Sequence, residues 1–583
     1  MRRSKMRRVV ALVAGATVAL AACGGGGATG RPGQRQTGSA FAACEANPNT
    51  CNSAAPGQLR QGGQLTYVIE KNIANWNLLS NEGNVFDNSE VLKAVLPYTF
   101  GTQPDLTATM NNDLLDSAKV TNSFPETIVY KIKPNATWSD GTPITADDFI
   151  YNWRLQNGRD CPGCPVFTTG GYDQVKSVVG ADNGKTVTVT LTKPFTDWKN
   201  LWSGGSPIYP AHIAAQHGNT TTPQGLAASF SWFGANVPTY SGGPYQIDNF
   251  KNNESVTLVP NPKWQGTRPK LDRLIYRIIT DANQEPTALQ NHEVQVIYPQ
   301  PQVDLVTQVR RIPGVSSFVG LGLTWEHFDF NLQNAYLSDP ALRTALFTAV
   351  DRQAIIDKTV GQFTNKIKPL NSHNFVPQQS GYEDVVSESG QGSGNLAKAR
   401  QILVGAGYRI DGGQLKTPIG LPVPPLRIRY TIGNQVRQVE CELFAQMVKP
   451  LGVTVQVVPT DDLGVTTSRG DYDIIVFAWV ASPFPYANAV QIWGTGQGNN
   501  FGHYSNPDVD RLIAAAGSQT DETAAKETLN AADRRLTKDA YVLPLYQKPT
   551  FIALYDNIAN VRNNSSLDGP PYNVAQWGFR AAG

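Results

Sequence analysis

The chain has 583 residues, of which 40% are apolar, with 49 Lys and Arg set against 47 Asp and Glu for a net charge of +2. That length exceeds what one hydrophobic core organises, so two or three domains are expected. The balanced charge, with no basic stripe, argues against a nucleic-acid partner.

At the start, Arg2, Arg3, Lys5, Arg7 and Arg8 precede the apolar run Val9 to Leu20. The run is too short to span a bilayer comfortably and suits the h-region of an export signal. It closes on Leu20-Ala21-Ala22-Cys23, which resembles a lipobox. The resemblance implies a lipoprotein signal peptide over 1–22 and a lipid, palmitate included, on Cys23. Loss of the five basic residues of 1–22 turns the net charge of +2 into −3. No later apolar run approaches about 18 residues, so no further membrane span is expected. Residues 23–61 are rich in Gly, Ser, Thr, Gln and Pro and read as a flexible tether with roughly 35 Å of r.m.s. reach. Such an anchor would hold the protein at the extracytoplasmic face of the cell membrane. Cys44 and Cys51 close a short loop and are expected to pair. Cys161 and Cys164 are expected to form a structural link. The elements around them are not ordered as in thioredoxin, and a metal would need a second ligand pair. Cys441 is left single, on a predicted helix, as a small buried hydrophobe.

Gln64 to Ile69 reads as the first strand. The loop Asn75-Trp76-Asn77-Leu78 follows, then Asn81-Glu82-Gly83-Asn84, then a short helix over Ser89 to Pro97. The stretch from Ile128 to Arg154 is the most informative. Ile128, Tyr130 and Ile132 alternate as in a strand, and Asp140-Gly141 makes a turn. Thr145 and Asp148 then form a capping box, with Ile144 and Phe149 placed for a hydrophobic staple. Asp147 and Asp148 are therefore read as a helix start and not as acid–base residues. Lys185 to Leu191 is another alternating strand.

The run W-S-D-G-T-P-I-T-A-D-D-F within that stretch resembles the signature of the family 5 extracellular solute-binding proteins, the peptide, oligopeptide and nickel-type receptors of bacterial ABC importers. Further along, I-Y-P-A-H-I at 208–213, G-G-P-Y-Q-I at 242–247, Asn261-Pro262-Lys263-Trp264, F-D-F-N-L-Q-N at 328–334 and L-R-T-A-L-F-T-A-V-D-R at 342–352 are similar to segments of the same family. The resemblance implies an α/β, two-lobed periplasmic-binding-protein-like fold of type II. Lobe I would cover 62–320 with an inserted subdomain near 90–200, lobe II would cover 321–536, and 537–583 would return to lobe I. It also implies a hinge of more than one strand.

The residues agree with that organisation. Leu274 to Ile279, Asp281 to Gln290 and Val294 to Ile297 read as βαβ, which implies a parallel pair; His292 sits in its second turn, where the family usually has Gly. Asp339 caps and Pro340 opens a helix whose apolar face includes Leu342, Ala345, Leu346, Ala349 and Val350. Arg343, Asp351 and Arg352 are expected in surface or interlobe salt links. Leu426 to Ile432, Val436 to Val448 and Val453 to Val458 form a second βαβ unit. Asp473 to Trp479 reads as a strand buried on both faces, and Val542 to Leu554 as extended chain.

In open α/β sheets ligands sit beyond the carboxyl ends of the strands. That rule selects the loop after Trp479, with Ser482, Phe484, Tyr486 and Trp493 nearby; Trp76, Asn84 and Trp325 complete the expected ligand-binding set, with core packing as the competing reading for Trp479 and Trp493. Peptide receptors of the family commonly carry W-x-A-D-Y-x-D-P here, the aspartate receiving the α-ammonium of the peptide. This chain has W-V-A-S-P-F-P, with Ser482 in place of that aspartate. A serine cannot neutralise a buried ammonium, so Glu82, Asp87 or Glu326 would substitute, or the ligand is not a simple free peptide.

The expected function is capture of a peptide-like ligand, an oligo- or dipeptide, by hinge closure and delivery to an ABC permease. The alternative is a lipoprotein of the same fold that binds a glycolipid in cell-envelope assembly. His212, His217, His292, His327, His373 and His503 are scattered, with no HExxH and no GxSxG. Neither enzyme chemistry, a cofactor nor a metal is expected, and a monomer is.

Overall fold

The structure, a computed structural model, describes residues 39–581. The expected signal peptide, Cys23 and the tether up to residue 38 lie outside the described residues.

Two sheets organise the chain. The first has seven strands in the order Val315–Gly320, Thr550–Tyr555, Val296–Ile297, Gln64–Ile69, Arg273–Ile278, Ser255–Pro260, Tyr245–Lys251. The second has five, ordered Val455–Thr460, Leu426–Thr431, Ile474–Val480, Thr324–Phe330, Val542–Gln547. The backbone passes from the first sheet to the second between Gly320 and Thr324 and returns between Gln547 and Thr550. These two short crossings make a double-stranded hinge, and the two sheets anchor lobe I and lobe II.

Lobe I carries a four-stranded antiparallel sheet, Leu115–Ser123, Glu126–Ile132, Thr186–Leu191 and Val175–Ala181. The helix Ala146–Gln156 packs on it and starts as its sequence dictates. The Thr145 side chain accepts from the Asp147 N–H, and Asp148 reaches back to the Thr145 N–H at 2.9 Å. Asp148 also accepts from the Ala211 N–H at 2.8 Å, so the carboxylate joins two segments. Burial raises it to about 6.

Four expectations need correction. The helix expected over Ser89 to Pro97 is Phe86–Leu92. The strands on either side of the helix Glu285–Gln290 are parallel but not neighbours: Gln64–Ile69 lies between them, Tyr67 facing Tyr276 on one side and Val296 on the other. An N-terminal strand had to claim that central place, and local pattern carries no information about it. Arg343 and Arg352 are buried and make no salt link among the described residues. They donate to the carbonyls of Leu337, Ser338 and Asp539, and of Leu370 and Pro544, while Asp351 caps a helix by accepting from the Ala354 N–H. The flexible tether does not extend over 39–61. Phe41 is fully buried 6.0 Å from the Phe318 ring, Arg562 donates to the Cys51 carbonyl at 2.6 Å, and Arg60 bonds the Phe579 carbonyl at 2.8 Å. The buried Phe41 ring, the Cys44–Cys51 disulfide and these hydrogen bonds together dock a polar, alanine-rich segment.

Cys44 pairs with Cys51 and Cys161 with Cys164, while Cys441 is free and buried. His292 has φ +61°, the left-handed region that favours glycine, in the tight turn after Glu285–Gln290. No helix among the described residues is long and apolar enough to cross a membrane.

Candidate functional site

A cleft of about 510 Å³ lies between the lobes, within the usual size of small-molecule sites. Its walls are the segments that follow strand carboxyl ends. In lobe I these are Glu70–Asn72, Thr280 and Tyr298–Pro301; in lobe II they are Thr431–Ile432, Asp461–Gly464 and Val480–Ser482. Parallel strands deliver such loops to one edge of each sheet, and the hinge turns the two edges face to face.

The lobe I wall is acidic. Asp87 accepts from the backbone N–H of Glu70 at 2.7 Å and of Lys71 at 2.9 Å, with Lys71 Nζ at 3.3 Å. Glu90 accepts from the Tyr67 hydroxyl. Behind them Glu285 is fully buried, and neither of its carboxyl oxygens has a hydrogen-bond partner among the described residues. Burial, reinforced by the neighbouring carboxylates, raises Glu70, Glu90 and Glu285 above the ordinary carboxylate range. Asp87 and Lys71 are the oppositely charged pair in this group.

The hinge side is basic. Glu326, fully buried on Thr324–Phe330, takes Arg437 Nε at 2.6 Å and Lys548 Nζ at 2.5 Å. Burial alone would raise its carboxyl, but Arg437 and Lys548 outweigh burial and hold it well below the ordinary range. Lys548 belongs to the returning hinge crossing and also donates to Gln300 Oε1 of lobe I at 2.6 Å. Asn434 of lobe II donates to the same oxygen at 2.7 Å. Next to this group Glu440 accepts from the Tyr546 hydroxyl, and burial followed by the Glu326 charge raises it to about 8.

Of the residues expected to bind ligand, Asn84, Trp479 and Ser482 line the cleft. Trp479 is half-buried and stacks on Phe501 at 5.9 Å and 10°, which gives the cleft an aromatic face. The other five do not reach it. Trp76 is buried in lobe I, edge-on to Phe250 at 5.1 Å. Trp325 lies in a small pocket behind the cleft wall, 4.6 Å from the His327 ring. Trp493 is core, its Nε1 donating to Asn374 Oδ1 at 2.9 Å. Phe484 and Tyr486 open the helix Pro485–Trp493, and that helix start is docked across the lobe boundary. There Asp197 of lobe I accepts from the backbone N–H of Tyr486 at 2.8 Å and of Ala487 at 2.9 Å. Large aromatics of a two-lobed protein have cores and interlobe contacts to fill, and residue type does not separate these from a ligand face.

Ser482 is engaged with Asn488: its hydroxyl donates to Asn488 Oδ1 at 3.0 Å, and Asn488 Nδ2 returns a bond to the Ser482 carbonyl at 2.8 Å. Among the substitutes considered for the missing carboxylate, Glu82 is exposed at the cleft, Asp87 lines it, and Glu326 is occupied by two cations. Sequence reasoning missed Arg437, Lys548 and Gln300. Arg437 sits in the first turn of the predicted helix that follows a strand, which was the available signal; Lys548 and Gln300 carry none. Among the described residues no His, Cys, Asp and Glu group could hold a metal ion.

The family model for bacterial extracellular solute-binding proteins, family 5 middle region, matches residues 109–501. The oligopeptide-binding protein OppA of Mycobacterium tuberculosis is 29% identical over 515 residues, 87% of this chain and 84% of OppA. The "Probable monoacyl phosphatidylinositol tetramannoside-binding protein LpqW" of the same organism is 25% identical over 446 residues, 73% of this chain and 66% of LpqW. Among solved structures, the periplasmic EDTA-binding protein EppA is 36% identical with a TM-score of 0.83, covering 92% of this chain and 99% of that one. The Bacillus subtilis AppA in complex with a nonapeptide has the same fold at 21% identity, with a TM-score of 0.78 over 90% of this chain and 100% of that one. The two sheets joined by a double crossing, the cleft at their strand ends and the matched region agree, and the chain belongs to the bacterial extracellular solute-binding proteins of family 5.

Proposed function

We propose that this protein captures a peptide-like solute between its lobes and hands it unaltered to the permease of an ABC transporter. The observation that carries this reading is the charge division of the cleft: carboxyl groups of lobe I around Asp87 face the cations Arg437 and Lys548 at the hinge. A zwitterion such as a peptide suits such a division, and Asp87, which lines the cleft, takes the role of the aspartate that Ser482 replaces. The relatives named for oligopeptide binding support the solute class. No bond is made or broken in this cycle; hinge closure and reopening do the work. We further propose that 1–22 is a signal peptide, that Cys23 carries the lipid, and that the anchored receptor acts as a monomer. Asn84, Trp479 and Ser482 form the ligand face in this reading.

The test is to purify the full chain natively and identify co-purifying small molecules by mass spectrometry. A bound peptide supports the reading. A bound glycolipid favours the second reading, a role in envelope assembly, which the similarity to LpqW suggests. Loss of membrane association in Cys23→Ala checks the anchor.

A further inference from the structure

We propose that the pole of lobe II opposite the cleft is a membrane-docking surface, an apolar turn with a basic rim that seats on the anionic face of a lipid bilayer. The inference goes beyond solute capture: it concerns where the body of the protein rests, and it does not depend on a lipid at Cys23.

Eight large apolar side chains are exposed among the described residues, and four of them fall within 18 residues: Val404 at 70%, Ile410 at 45%, Ile419 at 82% and Leu421 at 51%. Single exposed apolar residues are ordinary, whereas a cluster marks a contact surface. Local structure explains the cluster. The helix Leu396–Gly405 leads into a hairpin, Arg409–Asp411 with Gln414–Lys416, and a turn then carries the chain to the strand Leu426–Thr431. Leu415 and Val423 are buried in the lobe II core and hold the base of that turn, the Val423 N–H donating to the Leu415 carbonyl at 2.8 Å. Above them the Thr417 N–H donates to the Leu421 carbonyl and the Gly420 N–H to the Thr417 carbonyl, both at 2.8 Å. Ile419 and Leu421 are thereby left on a closed turn with their side chains in solvent. Residues 417–425, T-P-I-G-L-P-V-P-P, hold four prolines and no charge. Fixed φ angles reduce the freedom that such a turn loses on docking. A Cβ on Gly407 would lie 3.2 Å from the Pro418 ring, and one on Gly420 3.2 Å from the Arg409 guanidinium, so the helix end, hairpin and turn form one surface.

Charge identifies the occupant. Residues 396–425 contain Lys398, Arg400, Arg409 and Lys416 against Asp411 alone, four cations less one anion or +3, while 23–583 as a whole is −3. Lys416 pairs with Asp411, and Arg400 and Arg409 are exposed. Arg400 donates to the Pro450 carbonyl at 3.1 Å, which brings the exposed Lys449 to the same rim. Apolar side chains that enter the interface, ringed by cations that meet lipid phosphates, are the chemistry of a protein resting on anionic lipid. The position is compatible with solute capture. None of the four apolar residues lines the cleft. The strand Leu426–Thr431 starts beside the turn and ends at Thr431, which does line the cleft, six residues or about 20 Å further on. A body seated by this pole keeps its cleft open to solute.

The test uses the full chain with Ile419→Cys coupled to an environment-sensitive thiol dye. The unsubstituted chain treated identically gives the background, and Val179→Cys, at an exposed site on the four-stranded sheet of lobe I, gives the comparison. Vesicles of phosphatidylcholine, alone or mixed with phosphatidylglycerol, are added in excess. The expected result is a blue shift of the dye at position 419 on the anionic vesicles, with the odds of the docked state about tenfold or more higher than on neutral ones. Position 179 stays unshifted. Arg409→Glu combined with Lys449→Glu removes the preference, and Arg409→Lys, which keeps the charge, retains it; circular dichroism checks that each variant is folded. No shift at position 419, an equal shift on both lipids, or an equal shift at position 179 overturns the docking surface. A shift that needs no vesicles and grows with protein concentration assigns the patch to a second copy of this chain and overturns the membrane reading. These outcomes are independent of which solute the cleft binds, so a failure here is distinguishable from a failure of the capture reading.

Discussion

Asp197 offers the sharpest test of how the lobes are held together. It is buried in lobe I and accepts the backbone N–H groups of Tyr486 and Ala487, in the first turn of the lobe II helix Pro485–Trp493. Helix N–H groups at these positions have no acceptor within their own helix, so Asp197 caps the helix across the lobe boundary. In Asp197→Ala two buried donors lose their acceptor. At about 1–1.5 kcal/mol per neutral bond, the docked arrangement weakens by about 2–3 kcal/mol. Hydrogen exchange at the Tyr486 and Ala487 amides should then accelerate by about 30- to 150-fold. The pH dependence follows from the raised carboxyl. Burial, only partly opposed by the two N–H donors, raises Asp197 to about 7. A raised value means that protonation favours the docked state. That stabilisation is complete below the free aspartate value of about 3.9 and is lost as pH rises through about 7. Corrected for intrinsic exchange, protection of the two amides should fall over that window in the wild type. In Asp197→Asn, which keeps an acceptor but does not titrate, it should stay flat. Protection in Asp197→Ala within threefold of wild type would refute the cross-lobe cap.

Trp479→Ala removes the aromatic face shared with Phe501. It should weaken binding of the co-purifying ligand about tenfold or more in a fluorescence titration, with little change in Tm because the side chain is half-buried. Phe41→Ala empties a fully buried site and should cost about 3–5 kcal/mol of docking for residues 39–61; limited proteolysis should then cut that segment while the lobes remain intact. Thr145→Ala removes the cap of Ala146–Gln156 and should lower stability by about 1 kcal/mol in urea unfolding, with ligand affinity unchanged.

The local elements were legible where short-range physics dominates. The capping box at Thr145 and Asp148, the strands Thr186–Leu191 and Leu426–Thr431, the helix Gln435–Val448 and the two cysteine pairs depend on alternation, capping and chain proximity, all present in consecutive residues. The carboxyl-end rule likewise led to the loop after Trp479, and that loop does line the cleft. Long-range choices were not legible. Nothing in Gln64–Ile69 says that it separates the parallel strands Arg273–Ile278 and Val296–Ile297, and nothing in Trp76, Trp325 or Trp493 distinguishes core from ligand face.

The amino-acid order by itself determined the α/β alternation, the family and the presence of Ser482 where peptide receptors of the family commonly carry an aspartate. Only the tertiary structure decided which charges share the cleft. Asp87, Arg437 and Lys548 are far apart in the chain and line one cleft because two sheets present their strand ends to each other across a hinge. Electrostatic interaction depends on distance and burial, and neither quantity exists until the chain has folded.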